Sequence, residues 1–173
     1  LQTIGAYAFA KCKKISKVGI ASSVTEIGEA AFAMCSGMTQ CIFAQDIQIE
    51  KISRKMFQDC TSLEKITVPD GATIIEDCAF LNCEKLERIT IPATVITISD
   101  GAFNYCSNLK EVEFQIVGLR HIPQDGMVGR LLARLDLPES DRGVRRRAAQ
   151  HLSEQLVRHE MGAGAGGQIS APG

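Results

Sequence analysis

Apolar positions through residue 118 recur with a long period. Aligned on phenylalanine, the copies fall at Phe9, Phe32, Phe57, Phe80 and Phe103, spaced 23, 25, 23 and 23 residues apart. Five positions before each stands Ile: Ile4, Ile27, Ile52, Ile75 and Ile98. Three positions after each stands Cys: Cys12, Cys35, Cys60, Cys83 and Cys106. A large aliphatic follows at plus six, as Ile15, Met38, Leu63, Leu86 and Leu109. The last apolar pair of each unit is Val18/Ile20, Cys41/Phe43, Ile66/Val68, Ile89/Ile91 or Val112/Phe114. Two apolar residues around one polar residue have the period of a half-buried strand, so each unit is expected to hold one. Pro69 and Pro92 should stop theirs, because proline has no N–H to give to a ladder. The A-F-x-x-C-x-x-L stretch, with apolar spacings of three, predicts a short helical or 3₁₀ segment. A brief Ile-bearing strand completes the unit.

One such unit cannot cover both of its flat faces. Stacking on neighbours does so and adds ladder hydrogen bonds, which makes the array a solenoid. A phrase repeated five times also argues against a catalytic motif, since one active site needs one copy. The consensus I-G-x-x-A-F-x-x-C-x-x-L-x-x-I-x-I-P resembles the BspA-type leucine-rich repeat from residue 1 to about 118, with a degenerate sixth start at 122–127. The common leucine-rich pattern is matched only in its first half, as in Leu86-x-x-Ile89-x-Ile91, and its later Asn is missing. That sets the chain apart from the ribonuclease-inhibitor-like horseshoe. The resemblance implies an α/β repeat solenoid, a right-handed parallel-β stack of about five coils with a C-terminal helical element. It also implies adhesion or protein binding, and carries over no catalytic residues.

Composition changes near residue 118. Residues 1–118 hold all nine Lys and two Arg against fourteen acids, whereas the remainder holds eight Arg, no Lys and all three His against six acids. After residue 118 the periodicity becomes helical, at Met127, Val128, Leu131, Leu132 and Leu135, then at Val144, Ala148, Leu152 and Leu156. The expected organisation is repeats over 1–118, a degenerate repeat and capping helix over 119–137, an amphipathic Arg-rich helix over 138–161 and a flexible Gly-rich tail over 162–173. An amphipathic helix here either closes the apolar end of the stack or docks a partner. For the second helix both readings stay open.

Charge and chemistry narrow the function classes further. The 173 residues carry a formal charge of −1, which argues against an obligate nucleic-acid or anionic-membrane binder. No apolar run approaches the ~20 residues of a membrane helix. The opening LQTIGAYAF has neither an initiator Met nor a charged n-region, so no signal peptide is visible within the chain, and location stays open between cytoplasm and cell surface. Because it opens inside a repeat, Ile4, Phe9, Ile15, Val18 and Ile20 are expected to present an uncovered edge that self-associates.

Seven Cys invite a metal or disulfide, yet no C-x-x-C pair occurs and in-register Cys side chains point the same way. The five repeat Cys are therefore expected reduced and buried, with Cys78 off the pattern and reactive. GAGAGG at 162–167 satisfies G-x-G-x-x-G through Gly162, Gly164 and Gly167, but no strand or helix flanks it. His121, His151 and His159 form no metal-binding spacing, and the Arg run at 144–149 reads as a solvated helix face. No cofactor, metal site or catalytic set is expected.

A non-enzymatic protein-interaction or adhesion scaffold is the leading reading, with a structural spacer as the alternative and an enzyme a distant third. Its docking surface is expected on strand residues that face away from the core. These are Lys17 and Gly19, Gln40 and Ile42, Lys65 and Thr67, Arg88 and Thr90, Glu111 and Glu113. A spacer would repeat the same polar residues there, whereas these change sign and size from coil to coil.

Overall fold

The computed structural model describes residues 1–114, which form five coils around one apolar core. The degenerate sixth start, both C-terminal helices, the Gly-rich tail and all three His lie outside the described residues. Each coil contributes one longer strand: β2 (Lys17–Ile20), β4 (Gln40–Phe43), β6 (Lys65–Thr67), β8 (Arg88–Ile91) and β10 (Glu111–Phe114). Together they make a five-stranded parallel sheet in the order β10-β8-β6-β4-β2. Five two-residue strands carry the repeated Ile: β1 (Thr3–Ile4), β3 (Glu26–Ile27), β5 (Lys51–Ile52), β7 (Ile74–Ile75) and β9 (Thr97–Ile98). Strand positions followed the alternation of apolar and polar residues. β6 and β8 end immediately before or within one residue of Pro69 and Pro92.

The third wall departs from the expected helix. Over A-F-x-x-C each coil makes three overlapping β-turns. In the first coil Ala8 N–H donates to Gly5 O (3.3 Å), Ala10 N–H to Tyr7 O (3.0 Å) and Cys12 N–H to Phe9 O (3.2 Å). The third residue of the two outer turns, Tyr7 and Lys11, has φ of 57° and 64°, as a type II turn requires. The same two positions have positive φ in all five coils, and only Gly101 among them is glycine. Apolar spacings of three fit a helical turn and a run of overlapping β-turns equally well, but only the turns free alternate N–H groups to join coils. Tyr7, Phe9 and Lys11 donate to Glu29, Ala31 and Ala33 of the next coil at 2.9, 2.8 and 2.7 Å. A helix would spend every N–H within its own coil.

Inside this wall the Phe rings form one stack, with centroids 5.3, 5.8, 5.4 and 5.2 Å apart and planes within 11°. Beside it, each Cys thiol from the second coil on donates to the carbonyl of a Phe in the preceding coil. The pairs are Cys35 to Phe9 (3.0 Å), Cys60 to Phe32 (3.2 Å), Cys83 to Phe57 (3.2 Å) and Cys106 to Phe80 (3.1 Å). All seven Cys are free, and the file is buried as expected except at Cys12, in the first coil, which is half-buried. The first coil is also better covered than expected. Ile4 and Ile20 are buried, Ile15 and Val18 half-buried, and only Phe9 is exposed, at 38%.

The 25-residue spacing between Phe32 and Phe57 has a consequence that the equal spacings hide. Two extra residues lie between β4 and β5, and both strand walls break there. β2 and β4 pair through four residues, β8 and β10 through four, β6 and β8 through three, but β4 and β6 only at Gln40 and Lys65. The short strands likewise separate into β1-β3 and β5-β7-β9. The turn wall runs on unbroken: Ala30, Phe32 and Met34 still donate to Arg54, Met56 and Gln58 at 2.9, 3.1 and 2.7 Å. It holds the two halves of the stack together.

At the short-strand break one side chain substitutes for the missing ladder bond. Elsewhere the residue after each Ile sends its backbone N–H to the Ile carbonyl one coil earlier: Gly28 to Ile4, Glu76 to Ile52, Ser99 to Ile75. Across the break the Ser53 hydroxyl donates to Ile27 O instead. Ser53 is the one buried polar residue among the described residues. A buried carbonyl without a donor is costly, which accounts for a hydroxyl at this position.

Candidate functional site

All ten residues expected to face away from the core do so; eight are exposed and Gln40 and Thr90 half-buried. Strand register sorts them into two files. Lys17, Gln40, Lys65, Arg88 and Glu111 are successive partners, so the first file is continuous. In the second, Gly19 pairs with Ile42, and Thr67 with Thr90 and then Glu113, but Ile42 and Thr67 are not partners. The second is interrupted where the two extra residues lie, between β4 and β5.

The interruption opens a cleft of about 500 Å³ on the sheet face. Gln40, Ile42, Lys65, Thr67, Arg88 and Thr90 line it, so six of the ten expected residues meet there. Lys17, Gly19, Glu111 and Glu113 do not. Phe43, Ala44, Gln45, Val68, Pro69 and Asp70 also line it, and reading strand faces alone missed them. The signal that would have found them was in the sequence: the single 25-residue spacing falls at this point.

Backbone direction adds to the cleft's chemistry. Ala44 N–H donates to Ile20 O and Val68 N–H to Thr90 O, both away from the gap. Because successive residues of a strand point their backbone groups to opposite sides, those of Phe43 and Thr67 face the gap, and neither has a register partner across it. Ile42 stands on the rim with 53% of its surface exposed, a large apolar side chain on an otherwise polar face.

Charge is unevenly distributed along the cleft. Lys65 and Arg88 lie at the end where the strands begin, and Asp70 lies beyond the end of β6. Arg88 Nη2 is 2.7 Å from Glu111 Oε2, an exposed pair, while Lys65 has no ion-pair partner among the described residues. Thr90 Oγ1 lies 3.2 Å from Glu113 Oε2 and donates to it. The first file turns from basic at Lys65 and Arg88 to acidic at Glu111, and the Arg88–Glu111 pair partly neutralises that acidic end.

The one thiol lining the cleft, Cys41, is buried, and burial alone pushes it up to about 12, so it stays protonated. Burial likewise raises Cys35, Cys60 and Cys83, all in the core file. The remaining shifted group, Lys51, is raised by its hydrogen bond to Glu76, 2.8 Å away on the short-strand wall. Among the described residues no cluster of His, Cys, Asp or Glu is arranged to hold a metal ion, and no helix is long and apolar enough to cross a membrane. The cleft combines an apolar rim, backbone groups without register partners and an asymmetric charge.

Comparison with known proteins agrees with this architecture. The model of the BspA type leucine rich repeat region matches in six copies, over residues 1–110 and 43–148, reaching beyond the boundary expected near 118. Among solved structures, a leucine rich cell surface protein from Faecalibacterium prausnitzii A2-165 is 35% identical, with a TM-score of 0.65 over 68% of this chain and 30% of that one. The T. pallidum leucine rich repeat protein is 21% identical, with a TM-score of 0.56 over 99% of this chain and 81% of its own. A leucine-rich repeat protein from Eubacterium ventriosum ATCC 27560 is 22% identical, with a TM-score of 0.54 over 65% and 34%. The last two share the fold. The chain spans about a third of the length of the Faecalibacterium protein. No curated protein matches. The repeat, the coil architecture and the family match agree: the chain belongs to the BspA-type leucine-rich repeat family.

Proposed function

We propose that this repeat scaffold is a non-enzymatic protein-binding or adhesion module, and that its partner docks on the five-stranded sheet face, centred on the cleft between β4 and β6. The observation that carries the reading is the coincidence of three features at one place. The sheet ladder is interrupted there, Ile42 is exposed beside the gap, and Lys65, without an ion-pair partner among the described residues, flanks it. A regular solenoid face offers many equivalent positions, and a single irregularity gives a partner one address. The cell-surface description of the Faecalibacterium protein supports an adhesive role.

The test starts from a partner purified after capture on the chain. Its affinity and salt dependence are then measured against Lys65→Glu with Arg88→Glu on the sheet face, and against Arg145→Glu with Arg146→Glu in the C-terminal segment. The sheet-face pair should weaken binding by about tenfold and flatten its salt dependence, as two lost charge contacts would. Unchanged binding there, with loss in the C-terminal pair, would move the docking surface to the Arg-rich segment.

A further inference from the structure

The cleft's own chemistry specifies more than a location. It rests on the docking surface proposed above, and we infer that the segment it accepts is an extended peptide with an acidic residue two positions before an apolar one. The backbone groups of Phe43 and Thr67 face the gap without register partners, and extended chains are the shape that hydrogen-bonds to strand edges. Side chains two apart in such a chain project to the same face and lie about 7 Å from each other. That is the repeat with which strand residues of the cleft change character, from Gln40 and Lys65 to Ile42 and Thr67.

Charge fixes which side chain goes where. Lys65 is free of an ion pair among the described residues, and Arg88 beside it is held only by an exposed contact with Glu111. An incoming carboxylate meets both cations at that end. Further along, Ile42, Phe43, Ala44, Val68 and Pro69 offer an apolar lining for the next same-side residue. Asp70 closes the far end and repels an acid placed there, so the peptide has one preferred direction. A basic peptide would meet the reverse arrangement at every step.

The probe is acetyl-DSLSLS-amide, which puts Asp and two Leu on one face and Ser on the other. Its comparisons are acetyl-KSLSLS-amide and acetyl-DSSSSS-amide, each titrated into the full 173-residue chain and followed by two-dimensional amide NMR. The first peptide should shift the Phe43 and Thr67 amides with a dissociation constant of about 1 mM or below, in the range six residues can reach. The Lys and all-Ser versions should bind about tenfold more weakly. Lys65→Glu with Arg88→Glu should reverse the order of the two charged peptides, and Ile42→Ser should weaken the first, with unfolding midpoints unchanged in both variants. Equal binding of the charged peptides, shifts scattered away from the cleft, or no binding at all would each overturn the acidic-peptide assignment. The outcomes remain separable from the wider reading. If the peptides fail while the Lys65→Glu and Arg88→Glu pair still weakens binding of the purified partner, the sheet face binds a partner of another kind. If the peptides bind as expected while the partner ignores the pair, the cleft assignment stands and the docking surface of that partner lies elsewhere.

Discussion

Replacing Ser53 by Ala should cost far more than removing one hydroxyl normally does. Its Oγ supplies the hydrogen bond that satisfies Ile27 O, at the one coil junction among the described residues where the backbone of the following residue does not reach. With Ala there, the buried carbonyl keeps its desolvation penalty and loses its donor, a cost of about 1–3 kcal/mol. The methyl of Ala fills nearly the same space, so no cavity adds to the figure. Ser99 is the internal control: it occupies the same place one step after Ile98, but its backbone N–H bonds Ile75 O at 2.8 Å. Ser99→Ala should therefore change stability by less than about 0.5 kcal/mol. Urea unfolding of both variants, followed by far-ultraviolet circular dichroism at constant m-value, reads the two costs directly. Hydrogen exchange adds a location, since the amides of β3 and β5 should lose protection first in Ser53→Ala. Equal costs for the two serines, or a Ser53→Ala midpoint indistinguishable from wild type, would refute the compensation argument.

Other consequences can be checked on the same protein. Phe57 is fully buried between two stacked rings, so Phe57→Ala should cost about 3–5 kcal/mol, whereas Phe9→Ala, partly exposed with one ring neighbour, should cost about 1–2 kcal/mol in the same urea assay. Because the Cys41 thiol is raised from the ordinary 9.0 to about 12, its contribution to stability is fully present below pH 9 and lost as pH rises towards 12. The unfolding free energy should fall by about 1 kcal/mol for such a thiol between pH 8 and 10, and Cys41→Ala should lessen the fall. A Cβ added at Gly37 would sit 2.1 Å from Lys13 O, so Gly37→Ala should lower the unfolding free energy by about 1–3 kcal/mol. Deleting residues 47–48 restores the 23-residue spacing. It should extend the β4–β6 ladder, raise hydrogen-exchange protection at Phe43 and Thr67 and eliminate binding at the cleft.

The sequence by itself determined the repeat unit, the strand positions, the inward Ile, Phe, Cys and aliphatic files, and the ten residues that face away from the core. These follow from periodicity, because a side chain's position within a stacked unit decides whether a neighbour covers it. The short helix expected over A-F-x-x-C did not form. An apolar spacing of three does not distinguish a helix from overlapping turns, and the demand for inter-coil hydrogen bonds decides between them only once coils are stacked. Tertiary structure alone also decided the break. Two additional residues before Lys51 are a small change along the chain, yet the turn wall absorbed them by keeping its ladder and the strand walls did not. That choice rests on how three walls share one offset, which no single coil contains. It is also what gathers Ile42, Lys65 and Arg88 around a cleft, joined by Pro69 and Asp70.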